Sequence, residues 1–281
     1  MKYKKMELPN GWYPKDKNAC ESAIQEYLQA YKNIKLVGEW IGGIVPHAGW
    51  YYSGKLACEV IYLLSQREKP DVIAVFGGHL RPDDFPTYSD YESFETPFGN
   101  IECHITLFNK VISEMKNTMK VDYAIDNTVE IQLPFIKYFF PNTKLIAFRS
   151  PPSQLAITLG KTIAENAKSE GLKIKFLGST DLTHYGPNYS FMPKGTGSEA
   201  VKWVKGTNDK HFINLLQSME GELAIKHSLE NSSACSSGGA ASCLTASKVF
   251  GNKTCGEIID YYTSYDISKN SSFVGYLGMV F

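Results

Sequence analysis

Segments typical of buried strands alternate with segments typical of amphipathic helices along almost the whole chain. Residues 71–76 are almost continuously apolar, as expected for a strand covered on both faces. Residues 20–32 carry apolar side chains at three- and four-residue spacing, which predicts a helix. This alternation predicts an α/β fold with a mostly parallel, mixed sheet and helices on both faces. Further strands are predicted at 39–45, 143–149, 173–179, 256–266 and 272–281, and further helices at 53–64, 105–119, 128–140, 153–169, 199–218, 220–229 and 233–250.

Neither a long linker nor a repeat divides the sequence, so we expect residues 1–281 to form a single domain. The last two predicted strands are joined by the short polar segment 267–271, which favours an antiparallel pair. Residues 80–103 include an extended stretch that predicts an antiparallel hairpin closing over a site. Ser53 offers a side-chain oxygen as N-cap of the helix that follows it.

Composition narrows the classes of function. Hydrophobic residues make up 43% of the chain, enough for a substantial core, and 29 basic side chains balance 29 acidic ones. A neutral balance gives no reason to expect nucleic acid or an anionic membrane surface as a partner. No apolar run approaches the ~20 residues that span a bilayer, and the N-terminus lacks the apolar core of a secretory signal. We therefore expect a cytoplasmic protein whose six cysteines are reduced thiols.

Three histidines each follow a segment that predicts a buried strand and then a turn. His47 lies in WIGGIVPHAGW, His79 in DVIAVFGGHL and His184 in KIKFLGSTDLTHYG. Because ligands bind at the edge of an α/β sheet where parallel strands end, the three imidazoles are expected to converge on a metal or a substrate. Taken alone, His47 and His79 each favour a structural interpretation, in which the imidazole hydrogen-bonds the backbone of a turn. A metal or substrate site is favoured because all three histidines have the same position after a strand and a turn.

Two further residues extend this hypothesis. Asp181 precedes His184 by three residues, so the two meet on one face if the segment is a helical turn, and the carboxylate then fixes the imidazole. The alternative is that Asp181 is an N-cap. Cys235 lies near the predicted start of a helix, whose dipole favours the thiolate that a soft metal ligand or nucleophile needs. The alternative is a small buried hydrophobe, which is also the interpretation for Cys243. Glu130 and Gln132 either line the cleft or face water.

These motifs, taken in order, resemble those of the Memo family, also called AmmeMemoRadiSam system protein B. PHAGWYYSG (46–54) resembles the family's PHAGY-x-YSG, and STDLTHYG (179–186) resembles its SSDFTHYG. The resemblance continues through GGHL (77–80), VEIQLPF (129–135), CSSGGAASCL (235–244) and FVGYLGMVF (273–281), so it covers nearly the whole chain.

The resemblance implies a fold similar to that of the class III extradiol (LigB-like) dioxygenases, which hold a non-haem Fe(II) with two histidines and a carboxylate. Carried onto this sequence, His47 and His79 are the imidazole ligands, and Cys235 stands at the carboxylate's position. His184 is the acid–base residue, held by Asp181. Two imidazoles and a thiolate suit Fe(II), which we favour, and also Cu or Zn. This chain departs from the family pattern at Asn127, where the family has a histidine.

Three functions remain in view. The first is a metal-dependent oxidoreductase, dioxygenase-like or redox-active, with His184 moving protons. The second is a non-catalytic module whose cleft takes a peptide or a phosphorylated, phosphotyrosine-like ligand, an activity also described for the family. The third, ranked last because no second carboxylate is placed as a base, is a zinc hydrolase. The expected partner is a small molecule or a peptide, and the sequence leaves the oligomeric state open.

Overall fold

The computed structural model of the protein describes residues 2–31 and 38–281. The predicted first helix is observed, and its predicted last residue, 32, lies outside the described ranges. The strands are β1 (Tyr3–Lys4), β2 (Gly42–Val45), β3 (Val72–Gly77), β4 (Thr87–Tyr88), β5 (Ser93–Phe94), β6 (Ile101–Glu102), β7 (Lys120–Val121), β8 (Lys144–Arg149), β9 (Ile174–Ser179), β10 (His184–Tyr185), β11 (Glu257–Thr263) and β12 (Phe273–Val280). The helices are α1 (Lys17–Tyr31), α2 (Trp50–Ser65), α3 (Ile105–Met115), α4 (Asn127–Glu130), α5 (Leu133–Phe139), α6 (Gln154–Ser169), α7 (Ser198–Trp203), α8 (Asp209–Gln217), α9 (Gly221–Asn231), α10 (Ser237–Gly251) and α11 (Ser264–Ile267).

The larger sheet is mixed, with a parallel centre. Its strand order is β10-β12-β2-β9-β3-β8-β4-β7, and β11 also pairs with β12. The four central strands β2, β9, β3 and β8 are parallel to their neighbours, whereas β12 and β4 join the two sides of this block as antiparallel strands. The predicted α/β class is therefore confirmed. The predicted antiparallel pairing of the last two long strands, β11 and β12, is also observed.

Side chains of the central strands alternate between two hydrophobic cores, one on each face of the sheet. In β3, Val72, Ala74 and Phe76 pack into one core, whose helices include α3, α6 and α10. Ile73 and Val75 point the other way, into a core built with α1, α2 and α5. Because successive side chains of a strand point to opposite faces, a strand buried on both sides must be apolar throughout. This explains the continuous apolar run seen in the sequence.

Three predicted helices differ from those observed. The α2 helix begins at Trp50, with Gly49 as its N-cap, so Ser53 is not the cap. Instead the Ser53 hydroxyl lies inside the first turn and donates to the Ala48 carbonyl oxygen at 3.1 Å. The segment predicted as one helix at 128–140 is divided into α4 and α5, and Pro134, which has no N–H to donate, lies in the first turn of α5. The helix predicted at 199–218 is interrupted by a π-helical turn at Val204–Asn208.

A second, small sheet lies outside the larger one. The predicted hairpin within 80–103 is observed as the antiparallel pair β5–β6. These strands join β1 in a three-stranded sheet of order β1-β5-β6. Over the described residues, no helix is both long and apolar enough to cross a membrane.

Lys175 is a buried cation in β9, and its burial should make the stability of the protein depend on pH. Its ammonium donates to the Trp40 carbonyl oxygen at 2.6 Å, and burial lowers the Lys175 pKa from 10.5 to about 8. Between these pH values the unfolded chain binds more protons, so the free energy of unfolding should rise with pH, by up to about 3 kcal/mol. Urea denaturation from pH 7.5 to 10.5 should show this rise in the wild type and lose it in Lys175→Met. If the free energy of unfolding changes with pH in the same way in both proteins, the prediction is wrong.

Candidate metal centre

Three adjacent strands deliver the predicted site residues to one edge of the sheet. His47 lies two residues after the end of β2, Asp181 two residues after β9, and His79 two residues after β3. These strands are neighbours in the order β2-β9-β3, and they run parallel. The edge expected from the sequence is therefore the edge at which these residues meet, in agreement with the rule for ligand sites in α/β sheets.

His47, His79 and Cys235 come together. One ligand atom from each, an imidazole nitrogen or the thiol sulfur, lies within 4.8 Å of the other two. The Cys235 Sγ is 3.1 Å from the His47 Nε2. Cys235 directly precedes Ser236, the N-cap of α10, and its backbone N–H donates to the Asp181 carbonyl oxygen at 3.2 Å. The predicted position of this cysteine at the start of a helix is thus observed.

The His47 imidazole is oriented by neighbours that leave its Nε2 directed at Cys235. Its Nδ1 is 3.2 Å from the Ser179 Oγ, and its backbone N–H donates to the Asp181 Oδ1 at 2.7 Å. The Gln132 Nε2 donates to the Pro46 carbonyl oxygen at 2.8 Å, which fixes the turn just before the histidine. A partner on one ring nitrogen sets which nitrogen can act as a ligand. Here that nitrogen is Nε2.

The His79 imidazole is held by Asp126, the N-cap of α4. Its Nδ1 is 3.5 Å from the Asp126 Oδ2, while the Asp126 Oδ1 accepts from the Thr128 N–H at 2.8 Å. Gly78 has φ +102°, and its N–H donates to the Thr128 hydroxyl at 2.8 Å. A side chain at Gly78 would place its Cβ 2.5 Å from the Arg149 Cβ. Glycine is therefore required here on both conformational and steric grounds.

Charges within the site stabilise one another against the cost of burial. Burial alone would raise the pKa of the Cys235 thiol, but His47, His184 and His79 hold it well below its usual range. Burial alone would lower the pKa of His79, but Asp126 and Cys235 raise it to about 10. The site therefore favours a thiolate, the form of cysteine that binds metals. Metal binding must displace protons from the imidazoles.

His184 lies at the rim of the same site. Its Nε2 is buried and has no hydrogen-bond partner among the described residues, and the Asp181 Oδ2 is 3.9 Å away. Burial opposes protonation of this imidazole, but Asp181 and Cys235 raise its pKa to about 10. The segment from Asp181 to His184 is extended rather than helical, so both the helical-turn and the N-cap interpretations of Asp181 are wrong. The two side chains face each other because β10 turns back along β12.

The three donors fit a metal ion. Two ligands of one ion, at about 2.0–2.3 Å each, lie at most about 4.6 Å apart. The observed spread of up to 4.8 Å closes with small side-chain rotations. Imidazole nitrogen and thiolate sulfur together suit Fe(II), Cu or Zn rather than Mg or Ca.

A cleft of about 450 Å³ lies next to the candidate metal donors, and its lining includes His47, His79, Asp181 and His184. Aromatic side chains form part of its walls, and amide and hydroxyl side chains form part of its rim. Residues 80–103 contribute no lining residue within the described chain, so the prediction that the hairpin closes over the site is wrong. Examples of the aromatic and polar lining residues are Trp12, Tyr52, Tyr189, Asn127, Asn188 and Ser272.

Sequence reasoning missed several residues that support the site. It did not assign Ser179, which contacts His47, or Asp126, which contacts His79. The order β2-β9-β3 brings Ser179 beside His47 although the two are 132 residues apart, and no local pattern indicates such a contact. Gln132 and Glu130 are both buried. Gln132 supports the turn at Pro46, whereas the Glu130 Oε1 accepts from the N–H groups of Glu7 and Leu8 and so anchors the N-terminal segment.

The family model described as Memo-like protein matches residues 5–280. This chain belongs to the Memo-like family. The resemblance seen in the sequence motifs is thereby confirmed over almost the whole length.

Relatives of this Memo-like protein are found in archaea. A "MEMO1 family protein" of Methanococcoides burtonii is 26% identical over 261 residues, covering 91% of this chain and 92% of the relative. A "MEMO1 family protein" of Thermococcus onnurineus is 27% identical over 291 residues, covering 98% of this chain and 97% of the relative. Among solved structures, the uncharacterized protein JW3007 of Escherichia coli K12 has a TM-score of 0.45 at 12% identity, covering 84% of this chain and 98% of that one.

The Ser179 hydroxyl should matter for metal affinity although it is not a ligand. We expect Ser179→Ala to weaken metal binding by about 10- to 100-fold, because the His47 Nδ1 then loses its partner and the ring its orientation. Ser247→Ala is the matched control, since it removes another buried hydroxyl, one without a hydrogen-bond partner among the described residues. Titration with Zn²⁺ in competition with a chelator measures the metal affinity of both variants. Equal affinities for the two variants would contradict the prediction.

Proposed function

We propose that this Memo-like protein is a non-haem metal-dependent oxidoreductase whose metal is held by His47, His79 and Cys235. The observation that carries the proposal is the convergence of these three donors within 4.8 Å, at a cleft that His47 and His79 line. Fe(II) is the favoured ion, and the same donors accept Cu or Zn. A relation in fold to the class III extradiol dioxygenases is part of the proposal, supported by the parallel sheet and by donors at its carboxyl edge.

The metal, when bound, supplies Lewis acidity and, if Fe or Cu, the capacity to exchange electrons with dioxygen or a ligand. The chain's own residues supply position and protons. His184 lines the cleft, where its imidazole can give a proton to a ligand or take one from it. Asp181 faces both His184 and His47, with the same Oδ2 3.9 Å from each Nε2. We therefore assign His184 as the acid–base residue and Asp181 as the group that keeps it charged and oriented.

The ligand is proposed to be a small molecule or a peptide side chain that carries a ring. Trp12, Tyr52 and Tyr189 offer aromatic walls, and Asn188 and Ser272 offer neutral hydrogen-bonding groups at the rim. Among the described residues that line the cleft there is no lysine or arginine. Recognition by ring contacts and neutral hydrogen bonds is what such a surface supports.

The test is dioxygen uptake by protein loaded with Fe(II) under anaerobic conditions and then mixed with oxygenated hydroxylated aromatic ligands. We expect the wild-type protein to take up dioxygen faster than free Fe(II) does. The rate in His184→Gln should be at least about 100-fold lower than in the wild type, since general acid–base catalysis contributes about 10²- to 10⁴-fold. The variant should keep its metal. Stoichiometric Fe(II) binding with uptake no faster than that of free Fe(II) would refute an oxidoreductase on these ligands.

A second candidate, a binding module for a peptide or a phosphotyrosine-like group, is favoured by one observation. Asn127 lines the cleft but donates its Nδ2 to the His47 carbonyl oxygen at 2.8 Å, so this position supports the turn and offers no imidazole to a ligand. This function is tested by measuring the affinity of a phosphotyrosine peptide for the wild type and for a His47→Ala/His184→Ala variant. Undiminished affinity in the variant would exclude the cleft as the binding site.

A further inference from the structure

A second pocket, of about 540 Å³, lies beside the cleft and shares Tyr52 with it. It is formed by residues of α1, α2, β11 and α11. We call it the acidic aromatic pocket. Its described lining residues carry four carboxylates and one ammonium, and the rest is mostly aromatic. The charged residues are Glu26, Glu59, Asp260, Asp266 and Lys55, and the aromatic ones are Tyr27, Trp50, Tyr51, Tyr52 and Tyr262.

Glu59 is the anomaly in this pocket. It lies on the buried face of α2, where its sequence neighbours Cys58 and Val60 are fully buried, and its own side chain is 5% exposed. Its single described partner is the half-exposed ammonium of Lys55, 3.8 Å from the Glu59 Oε1, which is too far for a hydrogen bond. A buried carboxylate without hydrogen-bond donors is costly. The carboxylate that lines this pocket therefore lacks the donors that buried carboxylates normally have.

Apart from Lys55, the charged residues that line the pocket with Glu59 are acidic. Burial raises the pKa of its carboxyl to about 7, Lys55 opposes this shift, and Asp260 adds to it. Asp266 is already paired with Lys205 at 2.7 Å, and its carboxylate accepts from the backbone N–H of Thr263, the N-cap of α11. Glu59 thus favours a second cation, one whose N–H donors come within hydrogen-bond distance of its carboxylate.

The aromatic walls suit the same kind of ligand. Two tyrosine hydroxyls are bonded to backbone carbonyl oxygens, Tyr27 to Trp50 at 3.2 Å and Tyr262 to Tyr52 at 2.9 Å, which fixes these rings in the wall. Tyr51 and Tyr52 pack edge to face with centroids 4.9 Å apart, and Tyr51 is 72% exposed. Aromatic faces attract ammonium and guanidinium groups, and they cover the alkyl chains that carry them.

We infer that the acidic aromatic pocket binds a primary ammonium or guanidinium group on an alkyl chain, with Glu59 as its hydrogen-bond acceptor. Two sources carry this chemistry, a free alkylamine and a lysine or arginine side chain of a peptide. The site is separate from the three metal donors, and its occupancy does not require the metal. Through the shared Tyr52 it would hold one end of a ligand whose other end reaches the cleft.

Calorimetric titration of the full chain at pH 8 tests the inference with n-butylammonium and N-acetyl-lysine methylamide as probes. Butan-1-ol, which matches n-butylammonium in heavy atoms but carries no charge, is the control ligand. We expect saturable binding of both cations and at least tenfold weaker binding of the alcohol. The cation with the lower Kd identifies the source, a free amine or a peptide side chain.

Three variants complete the experiment. Glu59→Gln should weaken cation binding at least tenfold, and Tyr51→Ala, which alters an exposed side chain and leaves the core intact, should weaken it about threefold. Glu165→Gln, at an exposed glutamate of α6, should bind the cations like the wild type. Failure of both cations to bind the wild type, equal binding of butan-1-ol, or unchanged affinity in both Glu59→Gln and Tyr51→Ala would overturn the inference.

Discussion

Replacing Cys235 with serine should weaken metal binding by more than about 100-fold, the largest effect we expect from any single substitution at the site. Loss of an outer partner of a ligand costs about 10- to 100-fold, and this variant removes one of three donors. Serine is nearly the size of cysteine, but its hydroxyl stays protonated, whereas the Cys235 thiol has a pKa well below its usual range beside His47 and His184. A protonated hydroxyl cannot replace a thiolate ligand.

The matched control is Cys255→Ser, because Cys255 is exposed and does not belong to the group of candidate metal donors. Competition with a chromophoric chelator gives both affinities, and urea denaturation shows that both variants fold. If Cys235→Ser binds the metal as tightly as Cys255→Ser, the thiol is not a ligand and the proposed centre is wrong.

Gly78→Ala should cost more than about 2 kcal/mol of stability and should also weaken metal binding. Its φ of +102° is disfavoured for an L-residue, at about 1–3 kcal/mol. The new Cβ would also lie 2.5 Å from the Arg149 Cβ, which adds the cost of overpacking. Relief of this contact moves the turn that carries His79, so the imidazole leaves the position where it meets Cys235.

Gly99→Ala separates the two causes. Gly99 has nearly the same φ, +98°, but a Cβ there has no atom within 4 Å. It should therefore cost about 1 kcal/mol through backbone strain alone and leave the metal affinity unchanged. Thermal or urea unfolding and a metal titration on both variants make the comparison. Equal losses of stability, or an intact metal site in Gly78→Ala, would mean that the turn tolerates a side chain.

Much of the fold could be predicted because its signals are local. The continuous apolar run at Val72–Gly77 indicates a strand buried on both faces, and the structure places it between β9 and β8 at the centre of the sheet. Helix boundaries were less predictable. The α2 helix begins three residues before Ser53 because backbone contacts, such as the Trp50 N–H donating to the Trp12 carbonyl oxygen, stabilise the earlier start. That contact joins distant segments, so propensity could not indicate it.

The same distinction holds for the site. Position after a strand was enough to predict that His47 and His79 share one edge, since parallel strands end together. It was not enough to find Ser179 or Asp126, because strand order decides which residues become neighbours. The assignment of His184 and Asp181 as acid–base residues, like the metal itself, remains a prediction for experiment.

The most direct test of the central claim is X-ray absorption spectroscopy at the metal edge, on protein loaded with Fe(II) or Zn²⁺ under anaerobic conditions. We expect the metal to be coordinated by nitrogen from two imidazoles and by one sulfur at about 2.3 Å. We also expect the sulfur scatterer to be absent in Cys235→Ser. A shell of nitrogen and oxygen alone in the wild-type protein would contradict a centre built from His47, His79 and Cys235.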